Sequence, residues 1–225
     1  MNIKAFQVNE LGVNCYLIWD DKSREAALID CGAQAEYEWD AIDIEMKGRN
    51  LMLKYALLTH CHFDHIMGLP FIHRTYGLCP IFHELDQRVY DAMPQMAAQF
   101  GISMPLPMPA PHRYVKDGDE LTLGEETIKI IHTPGHTPGS VCYYCEEEKI
   151  LFSGDTLFNG DTLFRGSLGR TDLGGDMDEE LNSIKKRILT LPGETLIYPG
   201  HGPSTTAAWE MQNNPYVRPF RKNYT

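Results

Sequence analysis

Thr59, His60, His62, Asp64 and His65 fall within seven consecutive positions in the order T-H-x-H-x-D-H. Three imidazoles and a carboxylate at that density are a ligand cluster, because polar rings and charges gathered away from water need partners or a cation. His60 and His62 stand two apart. On extended backbone they project to one side and can pinch a single cation at ~2.0–2.1 Å, the usual distance between zinc and an imidazole nitrogen. Asp64 and His65 follow at an expected turn and can reach a second cation beside the first.

The run before them, Tyr55-Ala56-Leu57-Leu58-Thr59, is short and apolar and reads as a buried strand that empties into the cluster. A catalytic metal wants about three protein ligands and an open position, so further donors must come from elsewhere. His136 lies in Thr133-Pro134-Gly135-His136-Thr137-Pro138-Gly139-Ser140, a loop opening into strand-like Val141–Tyr144. Asp155 lies in Ser153-Gly154-Asp155-Thr156, directly after Ile150-Leu151-Phe152. His201 lies in Tyr198-Pro199-Gly200-His201-Gly202, directly after Thr195-Leu196-Ile197. Each sits where a short apolar strand meets a Gly-containing turn, a loop on a rigid support.

These motifs resemble those of the metallo-β-lactamase-fold hydrolases and, among them, the glyoxalase II-like proteins. The similarity begins at Val13-Asn14-Cys15-Tyr16-Leu17-Ile18, like the family's N-terminal strand, and runs to His201. It implies a mixed α/β fold, a four-layer αββα sandwich with the metals at one edge between the sheets, formed by residues 1–225 as a single domain. It implies His60, His62 and His136 around one metal, Asp64, His65 and His201 around the other, and Asp155 bridging both. Asp64 and Asp155 are then the carboxylates of the catalytic centre. The expected cofactors are two divalent ions, zinc first, with iron or manganese also suited to histidine and carboxylate donors.

Two such ions roughly 3.5–4 Å apart share a water and lower its pKa from roughly 15.7 toward about 7. The hydroxide would attack a carbonyl carbon while a metal polarises the carbonyl oxygen. The sequence offers no compelling general acid. That suits a thioester better than an amide, since a thiolate leaves readily from a thiol of pKa about 8.5. The expected partner is therefore a small-molecule thioester such as S-lactoylglutathione.

The chain departs from full-length glyoxalase II proteins, which continue past the last histidine ligand into a helical domain with glutathione contacts. Here 24 residues follow His201 (225 − 201). In Gly169-Arg170-Thr171-Asp172, Arg170 stands where other members place a basic residue, but Asp172 replaces an aromatic. The pattern looks like the compact bacterial branch of the glyoxalase II-like hydrolases. Arg165 and Arg170 follow Asp155 closely and could hold an anionic substrate carboxylate, with pairing to Asp172 or Asp176 as the structural alternative.

Three competing readings stand beside this one. A persulfide dioxygenase resembles the chain around Thr59–His62 and Gly169–Asp172, and would use one iron on His60, His136 and Asp155. A β-lactamase is disfavoured because the best-known lactamases of this fold are exported and several use a cysteine where Asp155 stands. A non-catalytic domain merely stabilised by metal is disfavoured because structural zinc sites are usually closed and rich in cysteine.

The formal charge of −11 over 225 residues argues against broad nucleic-acid or anionic-membrane binding, which needs a basic face. Met1-Asn2-Ile3-Lys4 does not begin a signal peptide, and no run of about 18 apolar residues occurs, so a cytoplasmic protein is expected. Six cysteines in a chain this long fit reduced thiols. Cys142 and Cys145 should point to opposite faces of one strand, and Cys61 away from the ligands beside it. His73, His83, His112 and His132 lack paired spacing and are expected as surface or core residues, His132 at most supporting the His136 loop.

Strands are expected over 3–8, 13–19, 25–30, 120–123, 127–132, 140–145 and 149–153, with helices from Glu36 to about Gly48 and from about Asp178 to Leu189. The segment from Asp86 to Pro111 carries Tyr90, Met93, Met96, Met104 and Met108 among several prolines. It reads as a helix followed by a Pro-rich loop. Its methionines are mostly filler over a core, and the segment is a candidate lid.

Overall fold

The apolar runs form two six-stranded sheets in the computed structural model, which describes residues 1–157, 171 and 174–217. The first sheet holds β1 (Asn2–Val8), β2 (Val13–Trp19), β3 (Glu25–Ile29), β4 (Met52–Leu57), β5 (Pro80–His83) and β6 (Arg113–Val115), in that spatial order. The second holds β7 (Glu120–Leu123), β8 (Glu126–His132), β9 (Val141–Cys145), β10 (Ile150–Gly154), β11 (Leu196–Pro199) and β12 (Thr205–Thr206), also as sequence neighbours. Hairpins make β1 to β3 and β7 to β10 antiparallel, whereas β3, β4, β5 and β6 run parallel, as do β10 and β11.

Three separate cores show why the sheets stack. Tyr16, Ile18 and Ile29 of the first sheet meet Ile130, Tyr143 and Phe152 of the second in a core between the sheets. On the outer face of the first sheet, Leu17, Trp19 and Leu28 pack beneath α1 (Glu36–Gly48), α2 (Phe63–Ile66), α3 (Leu69–Tyr76) and α4 (Gln87–Gln99) through Trp39, Phe63, Ile72 and Met93. On the outer face of the second, Tyr144, Leu151 and Ile197 pack beneath α5 (Met177–Ser183), its π-spaced continuation Ile184–Ile188, and α6 (Ala207–Asn213). This is the αββα layering. Each fully buried large side chain stabilises it by about 1.5–3 kcal/mol relative to exposure. Period-2 alternation explains how one strand serves two cores: Cys142 and Cys145 of β9 lie in different ones, as expected.

Several boundaries differ from those expected. The strand expected over 55–59 is Met52–Leu57, because the Thr59 amide donates to the Asp30 carboxylate instead of a neighbouring strand. Asp64 and His65 sit on the one-turn helix α2 and not on a turn. The helix expected to begin near Asp178 starts at Met177, capped by Asp176, and loosens after Ser183. Helix α3 and strands β5, β6 and β12 were not anticipated. The helix expected after Asp86 is α4, with Pro94 in its interior, and Tyr90 ties it to the Pro-rich segment by donating to the Pro109 carbonyl at 2.6 Å.

Parallel pairing is what gathers the chemistry. The carboxyl ends of β3 and β4 open at one edge of the first sheet, and those of β10 and β11 at one edge of the second. An isolated bridge between Val13 and His201, and an Asn14 N–H bond to the Gly200 carbonyl at 2.7 Å, join the two edges. Among the described residues, no helix is long and apolar enough to cross a membrane.

Candidate metal centre

Every predicted donor that the structure describes arrives at this joined edge. His60 and His62 follow β4 on extended backbone, and Asp64 and His65 come from α2. His136 comes from the β8–β9 loop, Asp155 from the end of β10 and His201 from the end of β11. Gly154 adopts φ +50°, and a β-carbon there would overlap the Thr59 side chain; this close approach brings Asp155 to the His60 loop.

The donors fall into two adjacent groups, His60 with His62 and His136, and Asp64 with His65 and His201. Within each, one ligand atom per residue lies within 4.8 Å of the others. In the first, His60 Nε2 is 3.1 Å from His136 Nε2. In the second, His201 Nε2 is 3.3 Å and His65 Nε2 3.7 Å from Asp64 Oδ2. Asp155 lies between them, Oδ1 at 3.6 Å from His65 Nε2 and Oδ2 at 3.7 Å from both His136 Nε2 and His201 Nε2.

The outer nitrogens are occupied. Thr59 Oγ1 donates to Asp30 Oδ2 at 2.7 Å and so accepts from His60 Nδ1 at 3.1 Å. His201 Nδ1 donates to the Leu11 carbonyl at 3.1 Å. His65 Nδ1 lies 3.1 Å from Asp30 Oδ2, an ion-pair contact without hydrogen-bond alignment. These contacts leave the Nε2 atoms of His60, His65 and His201 facing inward. A third grouping, Asp30 with His60 and His65, is also geometrically close. Asp30 is a support rather than a donor there, since Thr59 fills both of its oxygens.

Nitrogen and oxygen atoms buried without a partner test whether a cation fits. His62 Nε2, His65 Nε2 and Asp155 Oδ1 are all in that condition, which is costly unless something positive sits among them. Burial, with His65 as the next cause, pushes His60 well below the ordinary imidazole range; burial and then His136 bring His62 down to about 3. Both rings therefore offer lone pairs at neutral pH. Burial opposes the charge of Asp155 most strongly, yet His201 and His65 together hold its carboxyl well below the usual range. The residues present fit divalent ions.

A model of the metallo-β-lactamase superfamily matches residues 8–201. The chain belongs to that superfamily. It is 35% identical over 221 residues to hydroxyacylglutathione hydrolase GloC of Haemophilus influenzae, covering 96% of this chain and 98% of the relative. It is 34% identical over 187 residues to the mitochondrial persulfide dioxygenase ETHE1 of Bos taurus, covering 83% of this chain and 62% of that protein. Among solved structures, BLEG-1, a B3 metallo-β-lactamase, superposes with a TM-score of 0.82 at 35% identity, covering 96% of this chain and 99% of that one. TTHA1623 in a di-iron-bound form superposes with a TM-score of 0.79 at 36% identity, covering 95% and 99%. The metallo-β-lactamase fold here is thus paired with histidine and aspartate clusters suited to metal, in a superfamily of metal-dependent enzymes.

Arg165 and Arg170, with Asp172, lie outside the described residues. The candidate lid packs its methionines inward: Met93 is buried and Met96, Met104 and Met108 lie against the outer core. Ser103, Met104 and Pro105 also wall an open groove of about 490 Å³ opposite Asn9, whose side-chain amide holds the Asp64 carbonyl at 2.9 Å. Cys61 points into the outer core. His83 and His132 stack on one another at 4.2 Å, and His132 Nε2 donates to the Pro138 carbonyl of the His136 loop at 3.0 Å. Among the buried carboxylates that the sequence reading missed, Asp30 and Asp86 bond the loops that carry the donors. Asp30 carried a signal, since Ala26–Ile29 followed by Asp30-Cys31-Gly32 repeats the strand-then-glycine context of the donors.

Proposed function

We propose that this chain is a hydrolase of thioesters that holds two divalent ions, zinc in the first instance. His60, His62 and His136 would hold one ion, Asp64, His65 and His201 the other, and Asp155 would stand between them. The observation that carries this reading is the position of Asp155, whose two oxygens face members of both groups at 3.6–3.7 Å. Bound there, divalent ions supply Lewis acidity and a solvent nucleophile at neutral pH. The chain's own part is to aim the His60 and His201 Nε2 atoms inward, through Thr59 and Leu11, and to exclude bulk water by burying nearly every donor.

The substrate is inferred to be a small acyl thioester of the S-lactoylglutathione type, in keeping with the similarity to GloC over nearly the whole of both chains. Arg165 and Arg170 are proposed to meet an anionic group of its thiol carrier. The acidic balance of the chain speaks against nucleic acid or an anionic membrane as partner and suits a cytoplasmic enzyme. A second reading, a one-iron persulfide dioxygenase, is favoured by the comparable identity to ETHE1. It needs only His60, His136 and Asp155, and leaves His62, Asp64, His65 and His201 without a ligand's task.

Elemental analysis of the purified protein, run together with a substrate panel, tests the proposal. Two ions per chain and thiol release from S-lactoylglutathione are expected. One iron with oxygen uptake on glutathione persulfide would replace the hydrolase reading. Faster turnover of nitrocefin than of any thioester would move the substrate class, and two ions with no turnover at all would leave a metal-stabilised domain.

A further inference from the structure

We propose that Asp86 is a positioning residue for the three-histidine group, its one carboxylate clamping together the two loops that carry His60, His62 and His136. This rests on reading those histidines as ligands of one ion. Asp86 ends a short 3-10 turn (Glu84–Asp86) between β5 and α4 and is fully buried. Its Oδ2 accepts the Cys61 N–H at 3.0 Å and the Thr137 hydroxyl at 2.9 Å, and its Oδ1 accepts the Gly139 N–H at 2.6 Å. Cys61 is the residue between His60 and His62, and Thr137 follows His136. One side chain therefore bonds the backbone of the first ligand loop and both backbone and side chain of the second.

The second loop is closed on itself around that contact. The Thr137 N–H donates to Ser140 Oγ at 3.0 Å, and the two hydroxyls lie 2.8 Å apart. Gly139 has no room for a side chain, since a β-carbon there would lie 2.7 Å from Asp86 N. The clamp addresses a specific difficulty: the His60, His62 and His136 rings stand with centroids 4.5–4.8 Å apart. Three rings on two separate loops can turn their nitrogens toward one ion only if the loops keep their relative position, and a carboxylate bonded to both loops fixes that position. Burial pushes the Asp86 carboxyl above its usual range despite those bonds, a cost tolerated for a group with a task. The other group is fastened elsewhere: Asp30 faces His65, Leu11 holds His201 and Asn9 holds the Asp64 carbonyl.

The test is Asp86→Asn, which places an amide N–H where the Cys61 N–H or the Gly139 N–H needs an acceptor. Metal-free protein is titrated with Zn²⁺ against a competing chelator, beside thermal melting without metal. One of two equivalents is expected to weaken by about 10–100-fold, the range for a group that orients ligands, while the other is unchanged. In a His62→Ala background the same substitution is expected to leave the remaining equivalent within about twofold, because its target is already gone. Equal weakening of both equivalents, no weakening, or a full further loss in the His62→Ala background would overturn the inference. Should Asp86→Asn not fold, Thr137→Val and Gly139→Ala strain the same clamp from the other loop, and the same selective loss is required of them. A wild-type protein that takes up one ion would defeat the two-ion reading; an unchanged affinity of that ion in Asp86→Asn would then defeat the clamp separately.

Discussion

The two donor groups share an edge and a carboxylate but differ in charge. Around His60 and His62 the strongest influence is burial, which keeps both rings neutral. Around His65, burial also opposes charge most, but Asp155, Asp64 and Asp30 together overcome it and raise its pKa well above the ordinary imidazole value. His201 is raised as well, burial again being outweighed by Asp155 and Asp64. Without metal, then, His60 and His62 stand neutral in the first group, and the second is a network of imidazolium and carboxylate that already balances its own charge. A cation adds to the first, and must replace protons in the second.

Removing what the groups share should have the largest effect. Asp155→Ala is expected to weaken both ions and, on the hydrolase reading, to lower turnover by more than about 100-fold, beyond what loss of a merely supporting residue costs; loss of a single equivalent would show that the two groups are independent. His201→Ala separates the two functional readings. For a two-ion hydrolase it removes one equivalent and reduces turnover by at least about 10–100-fold. A one-iron dioxygenase would keep its metal and its oxygen uptake.

The contrast between the groups was only partly legible in the sequence. The apolar runs before Asp155 and His201, each ending in a glycine, pointed to both donors, because the close approaches at Gly154 and Gly200 exclude any side chain. Division into two triads came from the resemblance, since no spacing rule says that His136 folds toward His60 and His201 toward Asp64. Asp30 repeated the donor context but lacked a neighbouring histidine to draw notice. Asp86 carried no signal, for its bonds reach back to Cys61 and forward to Thr137 and Gly139 through tertiary packing. Strands β5, β6 and β12, of four, three and two residues, are too short for a period to register.

Proton release sharpens the charge contrast. Because His65 and His201 are raised in the metal-free protein, Zn²⁺ binding at their group should expel about one to two protons near neutral pH. Its affinity should climb as pH rises and level off once those rings are deprotonated in the free protein. The three-histidine group, with His60 and His62 already neutral, should release fewer protons and depend less on pH than its neighbour. Calorimetric titration in buffers of different ionisation enthalpy counts the protons for each equivalent, and equal counts would erase the distinction.

The smallest effect belongs at Thr59, whose hydroxyl reaches both groups from outside. Thr59 Oγ1 links His60 Nδ1 to Asp30, and Asp30 faces His65. Thr59→Val keeps the shape but leaves a buried carboxylate oxygen and an imidazole N–H short of a partner, at a cost of about 1–3 kcal/mol in the urea-measured stability of the metal-free protein. Since the link reaches one ring of each group, both equivalents should weaken, each by less than about 10-fold, short of the usual range for a supporting residue. Weakening confined to the first equivalent would show that Asp30 holds His65 without help from Thr59, and that Asp155 and the direct His60–His65 ring contact at 4.1 Å couple the two groups without it.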